Sequence, residues 1–177
     1  MIIKNYKDKI KEYFMDNPTA RKRFREMERE LKMPLPSVIR YIKELVKEEI
    51  LKKEEVGKVV FYSANRGSEN FVLEKKLHNI RLIYNSGLLS YLREELSNPT
   101  IVLFGSYSKG EDTEDSDIDI YVETPSKKQI NLDKFKKVLK REIQIFQYKD
   151  INEIKNNNLS NNIINGITLN NYIEVFK

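Results

Sequence analysis

Residues 103–122 read LFGSYSKGEDTEDSDIDIYV. An apolar run breaks at Gly105-Ser106, crosses a polar stretch, and returns as Asp117-Ile118-Asp119-Ile120. In a strand, residues i and i+2 share a face, so Asp117 and Asp119 point one way while Ile118 and Ile120 pack behind them. Two carboxylates about 6–7 Å apart along a strand repel each other unless a cation lies between them. A hard divalent ion such as Mg²⁺, completed by water and phosphate oxygens, suits that pair. Upstream, Gly105 stands at a strand end, where the missing side chain lets a phosphate approach the backbone. Backbone N–H groups there, with the Ser106 hydroxyl, can hold a polyphosphate; Lys109 adds positive charge and Gly110 allows the turn. A phosphate cradle beside paired acids is what in-line nucleotidyl transfer needs.

Around this stretch the sequence predicts an α+β domain over 99–177, a small mixed sheet covered by helices. TIVLF (100–104), DIDIYVE (117–123) and EIQIFQY (142–148) have strand composition. Between the last two, Leu132, Phe135, Val138 and Leu139 recur at helical spacing. Helical signals follow at Ile151–Lys155 and Leu159–Ile164, and YIEVF (172–176) reads as a last short strand.

The pattern Gly-Ser, ten residues, Asp-x-Asp resembles that of the polymerase-β-like nucleotidyltransferases, in particular their minimal branch of antitoxin-type and archaeal proteins. The resemblance covers roughly 99–177. It implies nucleotide binding by Gly105 and Ser106, Mg²⁺ binding and catalysis by Asp117 and Asp119, and transfer of a nucleoside monophosphate, AMP from ATP, to a hydroxyl. Active members complete the metal site with a third carboxylate from a later strand. The flanking apolar residues align that place with Gln144, which carries no charge and is a poor base; Glu142, two residues earlier on the same face, substitutes if the register slips. With neither, one metal is held weakly and turnover falls. The alternative expectation is therefore a regulator whose transferase-like domain senses a nucleotide without turning it over.

The first half carries a different pattern. Residues 1–66 hold 17 Lys and Arg against 11 Asp and Glu, whereas the remainder holds 15 against 16, so a polyanion would meet the first half. Helices are predicted at 5–15 (Tyr6, Ile10, Tyr13-Phe14), at 20–32 (Phe24, Met27, Leu31; Thr19 as cap) and at 36–49. Pro36 suits the first turn of the third. That helix buries Val38, Ile39, Ile42, Leu45 and Val46 and turns Ser37, Arg40, Tyr41, Lys43 and Lys47 outward. Alternating runs on either side of Gly57-Lys58 mark a hairpin. The order, from Glu28 to Tyr62, resembles the winged helix-turn-helix regulators of bacteria and archaea. The resemblance implies a third helix in the major groove of double-stranded DNA, with the hairpin along the backbone. By chemistry, Arg40 suits guanine, Ser37 and Tyr41 bases or phosphates, and Arg23, Lys43, Lys47 and Lys58 phosphates. A solvated basic face that contacts RNA or protein is the other reading.

Residues 67–98 form a predicted helical bridge, broken at Asn85-Ser86-Gly87, that either forms a homodimer or packs on the C-terminal domain. His78 stands alone, with no second His or Cys beside it as a ligand partner. The absence of cysteine excludes disulfides and thiolate metal sites. No run of about 18 apolar residues occurs and the N-terminus lacks the apolar core of a signal peptide. A cytoplasmic protein with no membrane span is the expectation. Its partners are expected to be duplex DNA, a nucleoside triphosphate with Mg²⁺, and a hydroxyl acceptor such as a toxin protein.

Overall fold

The computed structural model describes residues 6–176. The chain divides into two compact units, 1–78 and 79–177. The boundary falls inside a helix, rather than at the expected edges of a separate bridge over 67–98.

The first unit runs α1 (Tyr6–Asp16), β1 (Arg21–Lys22), α2 (Phe24–Leu31), α3 (Leu35–Lys47), β2 (Leu51–Val56) and β3 (Val59–Ala64). Its strands form an antiparallel sheet in the order β1-β3-β2. Ile10 and Phe14 of α1, Met27 of α2, and Val38, Ile42 and Leu45 of α3 are fully buried in one cluster, as helical spacing requires of an amphipathic stripe. Gly57 takes φ +63 at the first of two loop positions, and Val56 pairs with Val59 across it. Glycine there matches the twist of a tight hairpin.

Two local expectations fail. Helix α2 begins at Phe24, not near 20, because Arg21 and Lys22 pair with Ser63 and Tyr62 of β3. Thr19 is thus too early to cap it. Instead the backbone N–H of Arg23 donates to the Glu26 carboxylate at 2.7 Å, and the Arg23 carbonyl accepts from the N–H groups of Glu26 and Met27, a reciprocal arrangement that satisfies orphan groups of the first turn. The bond from Arg23 holds the Glu26 carboxyl below its ordinary value.

Helix α4 (Glu69–Ser86) starts in the first unit and ends in the second. Gly87, at φ +79, breaks it from α5 (Leu88–Glu95). Leu88, Leu89 and Leu92 of α5 are buried with Ile83 and Leu96 in the core of the second unit.

That unit continues with β4 (Thr100–Phe104), α6 (Gly105–Lys109), β5 (Ile118–Glu123), α7 (Asp133–Leu139) and β6 (Ile143–Tyr148). A 3₁₀ turn (Ile151–Glu153), α8 (Asn157–Ile164) and β7 (Ile167–Asn170) complete it. The sheet order is β6-β5-β4-β7, with β5 and β6 parallel and the other pairs antiparallel. The mixed sheet of the sequence reading is present. Alternation sorts its side chains: Ile101, Leu103, Ile118, Ile120 and Val122 face α5 and α7, while Val102, Phe104 and Tyr121 face Ile151, Ile154 and Ile163.

The last strand is Ile167–Asn170, not YIEVF at 172–176. Gly166 explains the choice: a side chain there would stand 2.6 Å from the Leu103 carbonyl oxygen, so its absence lets the chain close on β4, where Leu103 pairs with Ile167. Among the described residues, no helix is long and apolar enough to cross a membrane.

Candidate active site

Strand β5 brings Asp119 opposite Phe104 of β4 on one side and Gln144 of β6 on the other. Asp117 lies just ahead of β5, and both acids are half-buried. Gly105 follows β4 with φ +73, and the Asp119 carboxylate fills the place its side chain would take, with Cγ 3.3 Å from an added Cβ and Oδ2 closer. Glycine is therefore required twice over, by backbone conformation and by space.

No group among the described residues donates a hydrogen bond to the Asp119 carboxylate. Burial, and then the charge of Asp117, push its carboxyl above the ordinary carboxylate value. Asp117 is partnered: Gln144 Nε2 donates to its Oδ2 at 2.5 Å. Glu142 is turned elsewhere, its Oε2 2.6 Å from Lys136 Nζ on α7. Of the two candidates for a third ligand, one thus gives an amide N–H to Asp117 and the other pairs with a lysine. Among the described residues, no set of three or more His, Asp or Glu converges where an ion would sit. Mg²⁺ binds through as few as one or two carboxylates plus phosphates, and a half-buried carboxylate without a donor beside a second one fits that requirement.

Ser106 is half-buried beside Gly105, and its hydroxyl makes no hydrogen bond among the described residues. Lys109 is exposed at the C-terminal end of α6 and makes no ion pair with either carboxylate among the described residues. Gly110 turns the chain at φ +75.

A buried polar network holds the loop that delivers Asp117. Asn79 Nδ2 donates to the Tyr107 carbonyl at 2.8 Å and to Asp112 Oδ1 at 2.7 Å, and the Arg141 guanidinium lies 3.9 Å from Asp112 Oδ2. Ser108 Oγ donates to the Gly105 carbonyl at 2.8 Å. The sequence reading missed Asn79, Asp112 and Arg141, because nothing in their local spacing distinguishes them from solvated residues. Asp117 also lines a cleft of about 300 Å³ with Lys136, Lys140 and Arg141.

In the first unit, Lys43 and Lys47 are exposed on α3, and Lys58 is exposed at the hairpin turn. Arg40 is exposed but engaged, with Nε 3.0 Å from Glu44 and the guanidinium over the Tyr41 ring. Ser37 is half-buried. Tyr41, expected to face outward, is half-buried and packs on the core. Arg23 is paired with Glu26 at 3.0 Å.

Residues 86–165 match the family model described as the nucleotidyltransferase domain. The matched span includes Gly105, Ser106, Asp117, Asp119 and Gln144 and ends before β7, and it supports nucleotidyl transfer in general. No curated protein and no solved structure matches the chain.

Proposed function

We propose that the second unit is a minimal polymerase-β-like transferase. It moves a nucleoside monophosphate, AMP from ATP, onto a hydroxyl of a protein, an RNA end or a small molecule. The observation that carries this reading is the apposition of Asp119 to Gly105, with Asp117 alongside. It puts carboxylates next to a backbone stripped of side chain, where a triphosphate can lie. Asp117 and Asp119 would hold Mg²⁺, which when bound screens the phosphate charge and polarises the reacting phosphorus. Gly105 leaves room for the Asp119 carboxylate beside its backbone, and Ser106 offers its hydroxyl to a phosphate oxygen. Asn79 and Asp112 keep the intervening loop in place. The test is release of pyrophosphate, or incorporation of labelled nucleotide, by the full chain with Mg²⁺. The reading predicts that either signal disappears in Asp117→Asn.

We also propose that the first unit is a winged helix that binds duplex DNA, α3 in the major groove and the β2–β3 hairpin along the backbone. The element order and the β1-β3-β2 sheet support it, as do the exposed Lys43, Lys47 and Lys58. A homodimer on two half-sites is the assembly this predicts, checked by sedimentation with and without duplex. The setting would be cytoplasmic, and a tyrosine of a toxin partner is one acceptor consistent with the family resemblance.

Gln144 favours a second reading, in which the chain is a transcription regulator that senses a nucleotide and makes little or no product. Salt-sensitive duplex binding altered by ATP, with no pyrophosphate released, would establish it over the first.

A further inference from the structure

We propose that Gln144 is a positioning residue that caps Asp117 and, standing where an acid would add a ligand, leaves the carboxylate pair able to hold a single divalent ion, bound only together with a nucleotide. The inference rests on the reading of this pair as a metal and nucleotide site.

Three observations lead to it. The register sets Gln144 directly beside Asp119, yet its amide is spent on Asp117 Oδ2. The amide nitrogen carries hydrogens and no lone pair for a metal, so that oxygen faces a positive dipole rather than an open coordination place. Turning the amide over would press its carbonyl against a carboxylate, which is repulsive while no ion is present. Glu142, the other acid at this edge, is held by Lys136. What remains of the pair is Asp119, with no hydrogen-bond donor among the described residues, and the second oxygen of Asp117.

An ion with six places to fill gains too few of them from these oxygens and needs phosphate oxygens to complete its shell. A two-ion arrangement needs more converging anionic ligands than the described residues supply. Metal and nucleotide therefore bind with positive linkage, each requiring the other.

The experiment counts bound Mn²⁺ by electron paramagnetic resonance on the full chain, with a non-hydrolysable α,β-methylene ATP. Wild type is expected to hold one Mn²⁺ per bound nucleotide and essentially none without it. Gln144→Glu is expected to hold two, with the ion bound about tenfold more tightly, because ligand charge sets affinity at such sites. Gln144→Ala is expected to hold one, no more weakly than wild type. That variant adds no charge to the cluster and separates capping from ligation. Two ions in wild type, one in Gln144→Glu, or tenfold weaker Mn²⁺ binding in Gln144→Ala would each overturn the capping role while leaving the site itself standing. No nucleotide-dependent Mn²⁺ in wild type or either variant would overturn the site and the inference together.

Discussion

Asp119 and Gly105 share one volume: the carboxylate on β5 stands where a side chain after β4 would have to go. Neither residue can be read alone, since the glycine leaves the room that the acid occupies, and the acid is half-buried because the glycine lets it in. The consequences can be measured.

Gly105→Ala meets both objections at once, a left-handed backbone and a filled space. A destabilisation of ~1–3 kcal/mol is expected from the backbone conformation alone, with loss of nucleotide binding. Urea unfolding and calorimetry with ATP check the two halves. Stability and binding both at wild-type levels would mean that the β4–α6 junction is not built as described.

Asp119→Asn separates function from stability. The folded-state pKa of Asp119 is raised, so the native protein holds this proton to higher pH than the unfolded chain does. Stability from this group is thus fully present below the ordinary carboxylate pKa and is lost as pH rises through the folded value. The Asn variant, which mimics the protonated form, should melt above wild type at neutral pH without metal, and the difference should vanish in acid. Scanning calorimetry from pH 3 to 8 reads it. A variant that melts below wild type at neutral pH would show that the carboxylate has a partner in the native state.

Asp112→Ala removes one of the two acceptors of the buried Asn79 Nδ2 and the carboxylate beside Arg141. Leaving one buried N–H of the amide without an acceptor costs about 1–3 kcal/mol, and the uncompensated guanidinium adds to it. Since this loop carries Asp117, nucleotide affinity should fall as well on the proposed reading. Asp112→Asn, which keeps an acceptor for Asn79, should retain more of both.

Lys43→Ala with Lys47→Ala tests the basic face of α3. If both meet phosphates, the slope of log affinity against log salt should become shallower by about 2, and affinity should drop evenly across duplex sequences. An unchanged slope would move these lysines off the interface.

The sequence carries the local part of this architecture clearly. Alternation around Asp119, the glycine at the end of a β-rich run, and Gly57-Lys58 between two strand-like runs all act within a few residues. Each appears in the structure where its spacing puts it. What escapes is what depends on distant chain. Asp112 is one of five acids between 111 and 117, and only its burial against Asn79 and Arg141 sets it apart. The two-residue strand β1 arises because β3, some forty residues later, offers Arg21 and Lys22 a partner, which overrides their helical tendency. Helical periodicity likewise exposed Tyr41 on paper, while tertiary packing draws its ring partly inward. The amide of Gln144 was legible as a change of residue type. Its attachment to Asp117 was not, since that needs the register between two strands.

The acidic pair and its neighbours come from positions 79, 105–119, 141 and 144, so no short fragment of the chain contains them. A nascent polypeptide emerging from the ribosome could not gather them until β6 had left the exit tunnel and lain down beside β5. On the proposed reading, nucleotide capture would then report that β6 has paired with β5.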